Sequence, residues 1–216
     1  IHEMRLVKEA HDYMMDSYNK LKAKRKSGEI DFDMQGWTFA ILAKYMKTDV
    51  AEKLQESEKL ISELKKYLGP DICVLLNNCF YMKVPEDTDP VFQKPLHTDA
   101  WTGNSVNTLQ VNTFFTDVDE HNGLIMCPGS HLLGFVPSRN RTVDPMYNLK
   151  FEEVNLKHLK QGDVVVFHPL IVHATAGKSK NIRIAIGDRY KSTETPFSSQ
   201  ERAVGYRALS VGPLNQ

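Results

Sequence analysis

The stretch Asp163-Val164-Val165-Val166-Phe167-His168-Pro169-Leu170-Ile171-Val172-His173 decides the fold. Its opening is a short run of β-branched and aromatic residues behind the turn signal Gln161-Gly162-Asp163, which reads as a strand over Asp163–Phe167. The same signature recurs at Ile72–Val84, Thr108–Thr116, Leu124–Cys127, Phe151–Leu156 and Ile182–Tyr190. Turns at His121-Asn122-Gly123, Pro128-Gly129-Ser130 and Ala176-Gly177-Lys178 separate them. Many short strands with no helix between them predict an antiparallel sandwich or barrel, not a parallel sheet. Residues 85–96 and 134–150 have loop composition, and long loops at this size are often functional rims.

Upstream of Ile72 the period is helical. Leu6, Ala10, Met14, Tyr18 and Leu21 recur at near-fourfold spacing, one apolar stripe on an amphipathic helix that Gly28 would stop. Trp37, Ile41 and Tyr45 suggest a second, shorter helix. Asp49 followed by Glu52 resembles a capping box, opening a third helix that buries Val50, Leu54, Ile61, Leu64 and Leu68 and ends at Gly69-Pro70. The stripes read as packing faces. The expected organisation is one domain over 1–216: a helical part at 1–70, a β core at 71–190 and a tail at 191–216.

Composition narrows the function classes. The 216 residues hold 27 Lys+Arg and 27 Asp+Glu, so the chain has no formal net charge and no electrostatic case for nucleic acid or an anionic membrane as partner. Cys73, Cys79 and Cys127 show no Cys-x-x-Cys spacing and read as reduced, buried thiols of a cytoplasmic protein. No apolar run approaches the ~18 residues that span a bilayer. Residues 1–25 are too charged for a signal peptide.

The chemistry lies in Pro95-Leu96-His97-Thr98-Asp99-Ala100-Trp101. On an extended chain residues i and i+2 point the same way, so His97 and Asp99 could present an imidazole and a carboxylate to one point. His173 brings a second imidazole from a distant strand. Two histidines and one carboxylate on one face of an iron make a facial triad with open positions for cosubstrate and dioxygen. Alone, His97 could be a surface histidine and His173 a satisfied core histidine. Ten residues after His173 comes Arg183, inside the apolar strand Ile182-Arg183-Ile184-Ala185-Ile186. A buried arginine there is costly unless it meets an anion, and its fork suits a carboxylate; the other reading is an edge residue whose head reaches solvent.

Over about residues 75–190 the chain resembles the phytanoyl-CoA dioxygenase family of 2-oxoglutarate oxygenases. The matching segments are Leu96–Asp99, Asn122–His131, Gly162–His173 and Arg183–Ile186, in the family's order and spacing. The resemblance implies a mainly β fold with flanking α-helices, a double-stranded β-helix or jelly-roll (cupin-like) barrel. It implies Fe(II) on His97, Asp99 and His173, and the distal carboxylate of 2-oxoglutarate on Arg183. It places the third ligand at His173 and leaves His168 a turn or supporting role; His131 belongs to the Pro-Gly-Ser-His turn.

The implied reaction hydroxylates or desaturates a small molecule, with 2-oxoglutarate and dioxygen as cosubstrates and succinate and carbon dioxide released. Related halogenases lack the carboxylate that Asp99 supplies. On the central strand the family often has a residue that helps hold 2-oxoglutarate. Asn112 and Phe114 share one face there and are the candidates, although the pattern does not say which face points inward. Substrate choice falls to the rim, at 84–94, 101–107, 135–148 and 191–202, where Arg139, Arg141 and Lys191 suit a polar or anionic small molecule or are solvated loop charge. Trp101 could wall the pocket or be core. The rival functions are a cupin-type metal protein that does not use 2-oxoglutarate, and a non-catalytic binding module on the same fold.

Overall fold

In the computed structural model, which describes residues 3–31, 34–84, 95–103, 105–176 and 181–210, helix α1 (Met4–Lys26) buries Leu6, Val7, Ala10, Met14 and Tyr18, the expected stripe. Gly28 takes φ 78°, which a glycine adopts without a Cβ penalty, and the Glu29 N–H returns to the Lys24 carbonyl at 2.9 Å, closing the helix. Trp37, Ile41 and Tyr45 line the buried side of α2 (Met34–Tyr45). The expectations placed on 85–94, 104 and 177–178, and on the tail past 210, lie outside the described residues.

The single third helix of the sequence reading is two: α3 (Asp49–Gln55) and α4 (Glu58–Leu68). Its cap is Thr48, one residue before the expected box, with Thr48 Oγ1 accepting from the Ala51 N–H at 3.3 Å. The apolar period runs through the break, but its two halves pack on different ground. Leu54 joins the cluster of α1 and α2, whereas Leu60, Ile61 and Leu64 join Ile72, Val74, Val111 and Tyr190.

The strands are β1 (Ile72–Lys83), β2 (Thr108–Phe114), β3 (Leu124–Met126), β4 (Ser138–Arg139), β5 (Thr142–Val143), β6 (Val154–Leu156), β7 (Val164–Phe167), β8 (His173–Thr175), β9 (Arg183–Ser192) and β10 (Tyr206–Ser210). A larger sheet has the order β10-β1-β9-β2-β7, a smaller one β6-β3-β8, and β4-β5 form a hairpin; every pairing is antiparallel. The helices cover one side of the larger sheet. The other side meets the smaller sheet through Phe114, Phe167 and Ala185 against Leu124 and Met126, which is the two-layer core of a jelly roll.

Strand β9 shows how the period-2 pattern serves both layers. Ile184, Ile186 and Tyr190 pack beneath the helices, while Arg183, Ala185, Gly187, Arg189 and Lys191 share the opposite, interior side. Residues read as a tail are not one: they carry the end of β9, helix α5 (Ser199–Val204) and β10, which pairs with β1. Lys191, placed on the rim from sequence, is fully buried in an ion pair with Glu201 at 3.0 Å. A charge spaced like a surface residue is carried inside because the Glu201 carboxylate, brought back by helix α5, meets it there.

Asp188 puts a carboxylate on the helix-facing side. Its carboxylate accepts from Gln55 Nε2 at 2.7 Å and from Asn78 Nδ2, yet burial pushes its pKa up to about 6 against the pull of those amides. A pKa raised in the folded state favours folding while the group is protonated, and that contribution is lost as pH rises from about 4 through 6. Asp188→Asn, which keeps an acceptor for both amides, is therefore expected to be more stable than the parent by about 1–3 kcal/mol at pH 7.5, with little gain at pH 4. Melting temperatures across that range check it; a variant less stable than the parent at pH 7.5 would show an ionised, well-paired Asp188 instead.

Candidate metal centre

Thr98 is extended (φ -119°, ψ 145°), so His97 and Asp99 project to the same side as read from sequence. The segment is not a regular strand, however. His97 makes one antiparallel bridge with His173, through paired N–H···O bonds of 2.9 and 2.8 Å, and Asp99 starts a 3-10 turn, Asp99–Thr102. That bridge lays the His97 segment along β8 on the edge of the smaller sheet. It brings residues 76 positions apart in the chain to ring centroids 4.2 Å apart.

Each imidazole is oriented by main chain. His97 donates from Nδ1 to the Pro95 carbonyl at 2.8 Å, and His173 from Nδ1 to the Ile171 carbonyl at 3.0 Å. A carbonyl only accepts, so both rings carry the proton on Nδ1 and leave the Nε2 lone pair for a ligand. The two Nε2 atoms lie 3.8 and 3.9 Å from Asp99 Oδ1, too far for hydrogen bonds. The three ligand atoms fall within 4.8 Å of one another, two histidines and a carboxylate with an open side, and the set is nearly buried. Among the described residues no other such group of three occurs. That donor set suits a divalent first-row metal, iron in particular.

The strand into His173 is braced by the turn after β3. Ser130 Oγ donates to the Cys127 carbonyl at 2.7 Å and accepts from the Val172 N–H at 2.8 Å. His168 lies outside the cluster. Its Nδ1 accepts from the Leu170 N–H at 3.2 Å, its ring faces His131 at 5.8 Å, and burial together with that neighbour holds its pKa below the usual imidazole value. Trp101 packs with Cys127, Val136 and Val172 and donates to the Val136 carbonyl at 3.1 Å, which ties it to the core. Of the rim cations, Arg139 is exposed and pairs with Asp144 at 3.4 Å, and Arg141 is exposed.

Arg183 opens β9 at 2% exposure. It donates from Nη1 to the Asn122 carbonyl at 3.0 Å and stands over the Phe114 ring at 5.5 Å, while its Nε has no hydrogen-bond partner. Burial drags its pKa down to about 10, with only Tyr81 acting the other way. A buried guanidinium with an orphaned donor is what an incoming carboxylate would satisfy. Asn112 and Phe114 are on the interior side of β2. The Asn112 Oδ1 fills the space where a Cβ on Gly187 would stand, 2.8 Å away, and Phe114 packs against Phe167, whose ring meets His173 edge-on at 5.0 Å. Sequence reasoning overlooked Gln110 and Arg189, which face each other on the same interior side. The parity of Arg183 and Arg189 along β9 was the signal for the second.

A sequence profile described as phytanoyl-CoA dioxygenase (PhyH) matches residues 7–185. No curated protein matches in sequence. Among solved structures, the apo form of the non-heme monooxygenase ThoJ superposes with TM-score 0.70 at 15% identity, covering 97% of this chain and 77% of that one. The non-heme alpha-ketoglutarate-dependent carbocyclase SnoK from nogalamycin biosynthesis gives 0.58 at 19%, over 74% and 70% of the two chains. HygX from Streptomyces hygroscopicus, with nickel and 2-oxoglutarate bound, gives 0.52 at 15%, over 74% and 77%. At these identities the likeness is one of fold.

Proposed function

Because this chain belongs to the phytanoyl-CoA dioxygenase family, we propose that it is an Fe(II)- and 2-oxoglutarate-dependent dioxygenase that hydroxylates or desaturates a small polar or anionic molecule. The observation that carries the reading is the pairing of an oriented His97–Asp99–His173 cluster with a buried, incompletely satisfied Arg183. Iron(II) held there, with 2-oxoglutarate and dioxygen as cosubstrates, would supply the oxidising power for a C–H bond and release succinate and carbon dioxide.

The chain's own part is orientation and exclusion of water. The Nδ1–H bonds to Pro95 and Ile171 hold both imidazoles with Nε2 inward, and Asp99 offsets part of the metal's charge. Arg183 would receive the far carboxylate of 2-oxoglutarate, with Asn112 and Phe114 lining its path. Phe114, Phe167 and Ile171 form an apolar wall that strengthens these charge contacts by excluding water. With Asp99 in place, the position that a halide occupies in related halogenases is filled, so chloride is not expected in the product.

The test is the weak visible charge-transfer band of the chelate when Fe(II) and 2-oxoglutarate are added without oxygen. The parent should show it. Arg183→Gln should weaken 2-oxoglutarate by about 2 kcal/mol or more, at least roughly 30-fold, because a buried charge partner is lost. Iron binding without a band would favour a cupin-type protein that does not use 2-oxoglutarate, and no iron binding would favour a non-catalytic module.

A further inference from the structure

Strand β1 sets a thiol beside a phenol on the interior side. Cys79 pairs directly with Gly187 of β9 and Tyr81 with Ala185, so both side chains leave the sheet on the side that carries Arg183 and Asn112. The register of β1 against β9 shifts between Leu75 and Cys79, and such an irregularity re-aims the side chains beside it. Both residues are half-buried.

The ring of Tyr81 reaches back along the strand toward the thiol. A Cβ built on Gly187 would stand 3.2 Å from Tyr81 Cε2, 3.7 Å from Cys79 Cβ and 2.8 Å from Asn112 Oδ1. The ring carbon next to the hydroxyl therefore lies over the residue that Cys79 faces across the ladder, and a glycine there leaves room for it. The Tyr81 hydroxyl is hydrogen-bonded to Cys79, whose Sγ also accepts from Arg189 Nη2 at 3.5 Å.

This pair adjoins the metal centre. Tyr81 packs against the cluster of Phe114, Phe167 and Ala185, and the Phe167 ring meets His173 at 5.0 Å. Burial, then Cys79 and Asp99, raise the Tyr81 pKa well above the ordinary phenol value, so the phenol is neutral at neutral pH and does not compete with Asp99 for a metal. The other two thiols differ. Cys73 and Cys127 are fully buried, and burial pushes both pKa values up to about 11, which suits inert core residues.

We propose that Cys79 and Tyr81 are a self-processing site: turnover without an organic substrate joins Cys79 Sγ to the Tyr81 ring carbon beside the hydroxyl, as a thioether. The S–C bond forms, and the S–H bond and that ring C–H bond break. The two electrons and two protons released end in water, formed from one oxygen atom of dioxygen. The other oxygen atom leaves in succinate as one 2-oxoglutarate is decarboxylated to carbon dioxide. The link thus takes the oxidising equivalent that a substrate C–H bond takes in ordinary turnover. It would pin the Tyr81 ring over Gly187 and beside Asn112, fixing the wall along the cosubstrate's path. This rests on the iron and 2-oxoglutarate reading above.

The test uses the full chain, purified under reducing conditions without oxygen. Fe(II) and 2-oxoglutarate are added, the charge-transfer band is recorded, and air is admitted. The protein is then denatured, reduced with dithiothreitol, alkylated with iodoacetamide and digested, and the peptide spanning 79–81 is weighed. That peptide should be lighter by two hydrogens, with Cys79 unalkylated and no fragment ions from cleavage between 79 and 81, while Cys73 and Cys127 alkylate fully. A disulfide would be reversed by dithiothreitol, and oxygen added to sulfur or ring would make the peptide heavier; either one in place of the link overturns the proposal. Cys79→Ser and Tyr81→Phe should each keep the band and lose the link. A link that persists in Tyr81→Phe, or that forms without 2-oxoglutarate, overturns the proposal. The mass of the parent peptide decides the matter if a variant does not fold. A parent that shows the band and still yields only alkylated Cys79 overturns this proposal alone, whereas a parent without the band overturns the cofactor reading and this proposal with it.

Discussion

Asp99→Ala is expected to abolish the anaerobic Fe(II)/2-oxoglutarate band at micromolar iron and to reduce succinate release to background. Outer partners of metal ligands typically cost about 10–100-fold in affinity when removed, so losing the carboxylate ligand itself should cost more than about 100-fold. Two neutral imidazoles would remain, already turned inward by Pro95 and Ile171 but lacking the anion that offsets the metal's charge. The local backbone should survive, because the turn is bonded through main-chain atoms of this segment: the Asp99 carbonyl accepts from Thr102 Oγ1 at 2.7 Å and the Ala100 N–H donates to the Pro169 carbonyl at 3.1 Å. Asp99→Asn, which keeps the side chain's shape, separates loss of charge from loss of packing. Iron content after anaerobic dialysis is the direct readout. A band of parental strength in both variants would remove Asp99 from the metal site.

Glu201→Ala is expected to be the most destabilising single change in the C-terminal segment. Its carboxylate is fully buried and accepts from Lys191 Nζ at 3.0 Å, from the Ser105 N–H at 2.8 Å and from the Ser198 N–H at 2.8 Å. Breaking a buried pair by removing one partner strands the other charge and costs about 3–5 kcal/mol. For a domain of this size that lowers the melting temperature by roughly 6–20 °C. Burial alone would raise the Glu201 pKa, but the two N–H donors and the Lys191 ammonium outweigh it and hold it below the ordinary glutamate value. A depressed folded-state pKa gives stability that is present above the unfolded value and is lost as pH falls through the folded one, so the gap between parent and Glu201→Ala should narrow on acidification. Lys191→Met combined with Glu201→Leu should recover much of the loss, since it leaves no charge stranded. Equal stability of Glu201→Ala and parent at neutral pH would mean that the Pro196 carbonyl, which already accepts from Lys191 Nζ at 2.7 Å, is enough for the ammonium.

Much of the architecture was legible because burial repeats along the chain. The α1 stripe and the period-2 strands each follow from one face being removed from water, and that preference is written locally. Boundaries were less legible. The α3–α4 break lies inside an unbroken apolar period, because what divides it is the pair of separate sheet surfaces that Leu54 and Leu60 meet. The last strand and helix looked like tail for a similar reason. Tyr206–Ser210 is half exposed and weakly patterned, and it is a strand because the β1 edge offers it hydrogen bonds.

By itself the sequence determined the fold class, the Gly28 and Gly69-Pro70 helix ends, and the pairing of His97 with Asp99, since two residues on an extended chain must face one way. His173 and Arg183 could be suspected from a motif. Tertiary structure alone decided the rest. The bridge between His97 and His173 closes the cluster across a long loop of chain. The pairing of β2 with β9 turns Asn112, Phe114 and Gln110 inward and sets Gln110 against Arg189. Lys191 became a core residue only because Glu201 folds back to meet it. The physical reason is common to all three: periodicity records that a side chain is buried, whereas the identity of what it meets is set by strand register and by contacts distant in sequence.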